Sequence, residues 1–356
     1  MPGLSHSAQY RPKSLDELDY HHDITNRIRS LAGSGDFPHT LFYGPTGAGR
    51  KTRIMATLRE LFGPGVEKLK IDQRVFLTPS NRKLDVNIVQ SNYHIEITPS
   101  DVGQYDRLII QDILKEIAQT QQVDANAKQR FKVVIINEAD QLSRDAQAAL
   151  RRTMEKYMSN LRIILCAQTT SKIIAPIRSR CLLVRIPAPL PPQMSTVLTQ
   201  VAKKEKFQLP EDVAKQIGKE STGNLRKALL VLEAMRMQSP SFDSNVQIGK
   251  PDWQSYTIQV AKEITSDPSP DGLLKVRGKI YELITHCIPP TLILKTLLDV
   301  ILTMVDDSIR ADLIYWAAFY EHRMRKGSKQ IFHLEAFIAK VMSIHKAFMC
   351  GFEDFE

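Results

Sequence analysis

Hydrophobic positions along this chain keep two rhythms. Up to about residue 186, short apolar runs alternate with stretches of helical period; beyond it, helical period dominates. In the first part, Leu15 to Leu31 reads as an amphipathic helical region, and Ser34 to Pro38 reads as a turn. Leu41-Phe42-Tyr43 is a strand, and Arg53 to Leu61 a helix that Gly63-Pro64-Gly65 ends. Leu69–Ile71, Val75–Leu77 and Tyr93–Ile97 are short β-like runs. Tyr105 to Gln121 is a helix with Leu108, Ile109, Ile113, Leu114 and Ile117 as its apolar positions, and the polar stretch Asp124 to Arg130 is a loop. The four β-branched residues Val133-Val134-Ile135-Ile136 mark a strand buried on both faces, as parallel strands are. Ser143 caps a helix that runs to Met158. Arg162–Gln168 and Leu182–Ile186 are further strands. Strands alternating with helices predict an α/β fold with a parallel sheet.

Pro187-Ala188-Pro189-Leu190-Pro191-Pro192 reads as a linker. Helices are expected at Gln193–Glu205, Pro210–Lys219 and Leu225–Met237, then a second linker from Gln238 to Pro251. From Trp253 to Phe348 the pattern is helical, broken at Pro268–Pro270 and Pro289–Pro290. Leu292–Met304 and Phe332–Met349 are strongly apolar, and apolar faces in excess of the local core become subunit contacts. The expected domains are therefore residues 1–186, 187–245 and 246–356.

With 43% hydrophobic and 24% charged residues, composition is that of an ordinary globular chain. No apolar run approaches the roughly 20 residues that span a bilayer, so no membrane partner is expected. Met1 to Gln9 lacks the apolar centre of a signal peptide. Cys166, Cys181, Cys287 and Cys350 are far apart and form no metal-ligand pair. A net charge of +9 permits binding to nucleic acid without requiring it.

The most informative stretch is Gly44-Pro45-Thr46-Gly47-Ala48-Gly49-Arg50-Lys51-Thr52, set between a strand and a helix. That is the context of a phosphate-binding loop, whose glycines turn backbone N–H groups toward a phosphate at a helix N-terminus. The usual motif ends Gly-Lys-Ser/Thr. Here Arg50 holds the lysine's place and Lys51 the place of the magnesium-binding hydroxyl, with Thr52 turned about 100° further around the helix. The loop should hold a phosphate chain, with Lys51 neutralising part of the charge that magnesium normally screens.

The second informative stretch is the exit of the buried strand, Asn137-Glu138-Ala139-Asp140. Open α/β sheets bind ligands beyond the carboxyl ends of their strands. A nucleotide hydrolase places a magnesium-binding acid first and a water-polarising acid second. Asn137, a neutral amide, binds magnesium weakly compared with a carboxylate, while Glu138 remains available as a base. Arg178-Ser179-Arg180 stands before the last strand and could reach a phosphate on a neighbouring molecule. Arg226, in the first turn of a helix, opposes the helix dipole unless an anion lies nearby.

Together these residues resemble the AAA+ ATPases, and more narrowly the small subunits of the eukaryotic clamp loader, replication factor C. The resemblance covers nearly the whole chain. Tyr10-Arg11-Pro12 matches the family's adenine-side box, without its usual tryptophan-containing lead, and Asp19 falls on the same side of the nucleotide. Ser179-Arg180-Cys181 matches the Ser-Arg-Cys signature. Gln168 stands where the family has a sensor asparagine, and Gly223-Asn224-Leu225-Arg226 matches the second sensor box. Lys51, Asn137-Glu138-Ala139-Asp140, His286-Cys287-Ile288-Pro289 and Phe332-His333-Leu334-Glu335-Ala336-Phe337 point to the non-hydrolysing branch.

The resemblance implies an AAA+ parallel-sheet nucleotide-binding domain, a helical lid and a helical collar that joins subunits into a ring. It implies bound ATP or ADP with magnesium weak or absent, Arg180 acting in trans as an arginine finger, and Glu138 left idle. The implied partners are four other replication factor C subunits, the PCNA sliding clamp and primer–template DNA, in the nucleus. Arg107, Lys115, Arg151 and Arg152 are candidates for DNA phosphates, and the Tyr105–Gln121 helix would face the clamp. Two rival classes are an active AAA+ ATPase of another DNA-remodelling complex, which needs an intact metal site, and a scaffold that binds no nucleotide, which leaves the loop and Arg226 without purpose.

Overall fold

The computed structural model describes residues 5–77, 83–119, 131–158, 160–238, 249–327 and 329–351. The chain divides into two compact units, Met1–Ile248 and Gly249–Glu356.

In the first unit a short helix α1 (His6–Gln9) leads through Tyr10 to α2 (His22–Gly33), β1 (Thr40–Tyr43) and α3 (Arg50–Phe62). Then come β2 (Lys70–Leu77), β3 (Lys83–Gln90), β4 (His94–Ile97), α4 (Asp106–Gln119), β5 (Lys132–Ile136) and α5 (Arg144–Lys156). β6 (Leu161–Ala167), a single turn α6 (Ala175–Arg178) and β7 (Leu182–Arg185) complete the sheet, whose order is β2-β3-β4-β5-β6-β1-β7. The pairs from β4 to β7 are parallel; β2 and β3 extend one edge antiparallel.

β5 shows why the sheet is buried on both faces. Val133 and Ile135 pack with Phe42 and Ile164 toward Ile54 and Leu58 of α3. Val134 and Ile136 pack with Leu41 and Leu165 toward Ile110 and Ile113 of α4 and Leu150 of α5. A continuous β-branched run is what two covered faces select. Ser143 caps α5 as expected, its Oγ accepting from the Ala146 N–H at 3.1 Å.

Three expectations are corrected. Leu15 to Leu31 is not one helix: α2 begins at His22, and Leu15 and Leu18 are buried from irregular turns instead. The runs Leu69–Ile71 and Val75–Leu77 fall on one strand, β2, which starts just after Leu69 and pairs along its length with the unexpected β3. The linker after β7 is shorter than read, because Pro191 and Pro192 open α7, where a missing N–H costs nothing. The expected Asp124–Arg130 loop and most of the Gln238–Pro251 linker lie outside the described residues.

α7 (Pro191–Lys204), α8 (Glu211–Glu220) and α9 (Leu225–Gln238) close around Met194, Leu198, Ile217 and Leu232, and Tyr10 packs on this cluster. The second unit comprises α10 (Asp252–Ser266), α11 (Pro270–Thr285), α12 (Pro290–Ile301), α13 (Asp307–Lys326) and α14 (Gln330–Met349). Val260, Ile280, Leu297, Leu313 and Phe337 lie at its core. Its breaks fall at the two proline clusters, and further ones follow Ile301 and Lys326. Tyr315, Phe332 and Met349 remain 63%, 53% and 71% exposed.

Candidate nucleotide site

A cavity of about 400 Å³ opens in the first unit where the loop after β1 meets the exit of β5. Tyr10, Arg11, Pro12, Asp19, Thr46, Gly47, Gly49, Arg50, Lys51, Thr52, Asn137, Glu138, Gln168 and Arg226 all line it. Residues spread over more than half the chain thus meet in one place. Gly44, Pro45 and Ala48 do not line it; Ala48 is fully buried and Pro45 is exposed. Arg180 is not part of the cavity.

The loop is shaped for close approach. Gly47 has φ +77°, and a Cβ there would lie 1.8 Å from Asn224 Oδ1. Asn224 is itself fixed, because its Oδ1 accepts from the Lys227 N–H at 3.0 Å and so caps α9. Glycine at position 47 therefore lets the α9 cap sit directly against the loop and brings Arg226 to the cavity. Arg11 reaches it from the N-terminal segment. Burial, and then the charge of Arg226, hold the Arg11 guanidinium below its ordinary range. Like charges aimed into one space favour an anion there, and Arg50 adds a third. The cavity and its cations fit a nucleoside polyphosphate.

The two positions that usually hold magnesium are otherwise engaged. Lys51 Nζ is ion-paired with Glu96 Oε1. Asn137 Nδ2 donates to the same Glu96 oxygen at 2.6 Å and lies 3.4 Å from Thr98 Oγ1. Both positions that hold the metal in a working hydrolase are turned onto one buried carboxylate, only 6% exposed. Among the described residues no cluster of three His, Cys, Asp or Glu side chains could hold a metal. Glu138 is exposed, in left-handed backbone at φ 49°, and accepts from Ser100 Oγ at 3.0 Å.

Sequence reasoning missed Glu96, and it placed Asn224 in the second sensor box without its contact with the loop at Gly47. The signal for Glu96 was an acid inside the apolar run His94-Ile95-Glu96-Ile97. Its neighbour His94 is also buried: Nδ1 lies 2.7 Å from Ser91 Oγ, and Nε2 has no hydrogen-bond partner. Burial pushes this imidazole down to about 4, against the pull of Glu96. Unfolded, it takes up a proton below 6.5, so the unfolded state gains as pH falls from 6.5 toward 4. At about pH 5 the loss is about 2 kcal/mol relative to neutral pH. Urea denaturation should show His94→Gln losing less stability than the parent between these pH values, by about that amount; equal losses would contradict the assignment.

Arg180 stands between α6 and β7, 38% exposed. Its Nη2 pairs with Glu155 of α5 at 2.5 Å and its Nη1 donates to the Pro176 carbonyl at 2.8 Å. Arg107, Lys115 and Arg152 are exposed on α4 and α5, whereas Arg151 lies 3.8 Å from Glu155.

Comparison with known proteins agrees with this architecture. Residues 253–349 match a family model described as the C-terminal domain of replication factor C subunit 3. Residues 196–237 match an AAA+ ATPase lid domain of the RCF1/5-like type, and 20–189 match the delta subunit of DNA polymerase III. The chain is 59% identical to replication factor C subunit 5 of Neurospora crassa, over 97% of this chain and 98% of that protein. It is 51% identical to human replication factor C subunit 3, over 96% of each. A solved structure of a Thermotoga maritima RuvB variant aligns with a TM-score of 0.51 at 15% identity, covering 76% of this chain and 85% of that one, a likeness of fold. The chain belongs to the replication factor C family of AAA+ clamp-loader subunits.

Proposed function

We propose that this subunit holds ATP or ADP as a structural ligand, with magnesium weak or absent, turns it over negligibly, and lends Arg180 to the ATP site of an adjoining subunit. One observation carries the reading: Lys51 and Asn137, at the two metal-ligand positions, are both bonded to Glu96. The cations facing the cavity supply what a phosphate chain needs, and the side chains at the two usual metal-ligand positions are a lysine and an amide, both engaged by Glu96. Glu138, engaged by Ser100, stays idle as a base.

In this reading the partners are four other replication factor C subunits, the PCNA sliding clamp and primer–template DNA, in the nucleus. The exposed apolar residues of the second unit, Tyr315, Phe332 and Met349 among them, support a role in joining subunits. Arg107, Lys115, Arg151 and Arg152 would meet DNA phosphates through salt-dependent, sequence-independent contacts, and α4 would face the clamp.

The test is a pull-down at native salt followed by denaturing release of small molecules. Recovery of four other AAA+ subunits together with ADP or ATP from this chain is expected. The chain alone should bind nucleotide and show no magnesium-dependent turnover. Robust turnover by the isolated chain would defeat the proposal.

A further inference from the structure

Among the described residues Arg53 is the largest side chain with no exposure at all. It sits on α3, two residues beyond Lys51, yet does not reach the cavity. No carboxylate pairs with it. Its Nη1 donates to Thr25 Oγ1 at 2.7 Å and its Nη2 to the Tyr20 carbonyl at 2.6 Å. Its guanidinium lies 5.0 Å from the centre of the Tyr20 ring, and its Nε has no hydrogen-bond partner. A buried cation without a counter-charge is a costly way to fill space, and methionine or leucine would fill it more cheaply. What the guanidinium does that they cannot is hold the Tyr20 carbonyl and the Thr25 hydroxyl at the start of α2 at the same time.

The turn at Tyr20 touches the phosphate loop. The Tyr20 hydroxyl donates to the Ala48 carbonyl at 3.2 Å. Gly49 has φ +88°, and a Cβ there would lie 2.2 Å from the Tyr20 oxygen, so only glycine lets the ring seat on the loop. The next residue, His21, is held in left-handed backbone at φ 57°, a conformation that persists where its surroundings fix it. Thr25 Oγ1 donates to its carbonyl at 3.3 Å, and its Nε2 lies 3.2 Å from the Pro187 carbonyl just past the sheet. One chain of bonds thus runs from α3 through Arg53 to the turn at Tyr20 and His21, and from there to the loop.

We propose that Arg53 and Tyr20 form a latch that holds the segment Tyr10–Tyr20 against the phosphate loop and retains the nucleotide between them. Tyr10, Arg11, Asp19 and Tyr20 line the cavity together with Gly47, Gly49 and Arg50 of the loop. The latch ties these two groups of lining residues to each other, so loosening it should let the nucleotide leave faster. Arg53 is a positioning residue that touches no ligand. The inference rests on the pocket being a nucleotide site.

The test loads the full chain with a fluorescent ADP analogue and follows its release on adding unlabelled ADP, alongside melting of the nucleotide-free protein. Tyr20→Phe removes only the hydroxyl. It should speed release about five-fold, the factor carried by one ordinary hydrogen bond, and lower nucleotide-free stability by no more than that one bond contributes. Arg53→Met should speed release about tenfold or more, since it removes two hydrogen bonds from a charged donor. Arg53→Lys should not rescue it, because an ammonium lacks the planar fork. Release at the parent rate in Tyr20→Phe overturns the latch, and this variant decides alone if Arg53→Met does not fold. Faster release with a loss of nucleotide-free stability well beyond that of one hydrogen bond also overturns it, as general loosening. A parent chain that takes up no analogue defeats the reading of the pocket and the latch with it; a parent that binds while both variants release normally defeats the latch alone.

Discussion

Arg180→Ala is expected to lower turnover at the adjoining subunit's ATP site by about 10³- to 10⁵-fold, the contribution of an arginine finger to phosphoryl transfer. The steady-state ATPase of the assembled complex should fall with it, while co-elution of the subunits should be unchanged. The geometry supports action on a neighbour. Arg180 lies outside this chain's own cavity, on the surface beside β7, an edge strand of the sheet. Its guanidinium is already ordered by Glu155 and the Pro176 carbonyl. The Glu155 pair is about half exposed, and such pairs are worth about 0–1 kcal/mol. The guanidinium can therefore exchange its carboxylate for a phosphoryl oxygen at little cost. Because the side chain supports nothing buried, its removal should leave the fold and assembly as they are. Unchanged ATPase and clamp loading in a complex carrying Arg180→Ala would reject the role.

How much of this was legible beforehand differs between elements and partners. β5 declared itself because four β-branched residues in a row have few other uses, and Ser143 marked the start of α5 because capping is local chemistry. The phosphate loop was readable for the same reason: its strand, glycines and helix are contiguous. β3 was missed although Leu84, Val86 and Ile88 alternate with polar residues, a pattern that only pairing with β2 turns into a strand. The start of α2 was misplaced because Leu15 and Leu18 are buried without being helical, and burial carries the same apolar signal in either conformation. Glu96 and Arg53 were illegible for a deeper reason. Glu96 acquires its meaning from Lys51, 45 residues away, and Asn137, 41 residues away. Arg53 acquires its own from Tyr20 and Thr25, 33 and 28 residues away. The charge of a side chain can be read from a sequence, but which distant group neutralises it cannot.

The second large effect lies at Lys51. Removing one partner of a buried ion pair leaves the other charge uncompensated, at about 3–5 kcal/mol. Lys51 is 44% exposed and Glu96 only 7%, so the stranded group would be the carboxylate, and the lower end of that range applies. Lys51→Ala should therefore weaken nucleotide binding by about 10²-fold, since Glu96, left with the neutral Asn137 amide, would add an uncompensated negative charge beside the phosphates. Lys51→Ala combined with Glu96→Gln removes that anion and should recover most of the affinity, a coupling that a simple loss of contacts at Lys51 would not produce. Magnesium separates the same two explanations. The parent should bind nucleotide equally with and without a chelator, because an ammonium already holds the place of the hydroxyl ligand. Lys51→Thr with Asn137→Asp returns a hydroxyl and a carboxylate, the oxygen ligands magnesium prefers. Binding by that double variant should become stronger with magnesium than with chelator. Isothermal titration of the three variants, with and without the metal, reads every one of these terms. Should Lys51→Ala bind as tightly as the parent, that lysine would not be what shields the phosphates from Glu96, and the internal counter-ion would have to be sought in Arg11, Arg50 or Arg226.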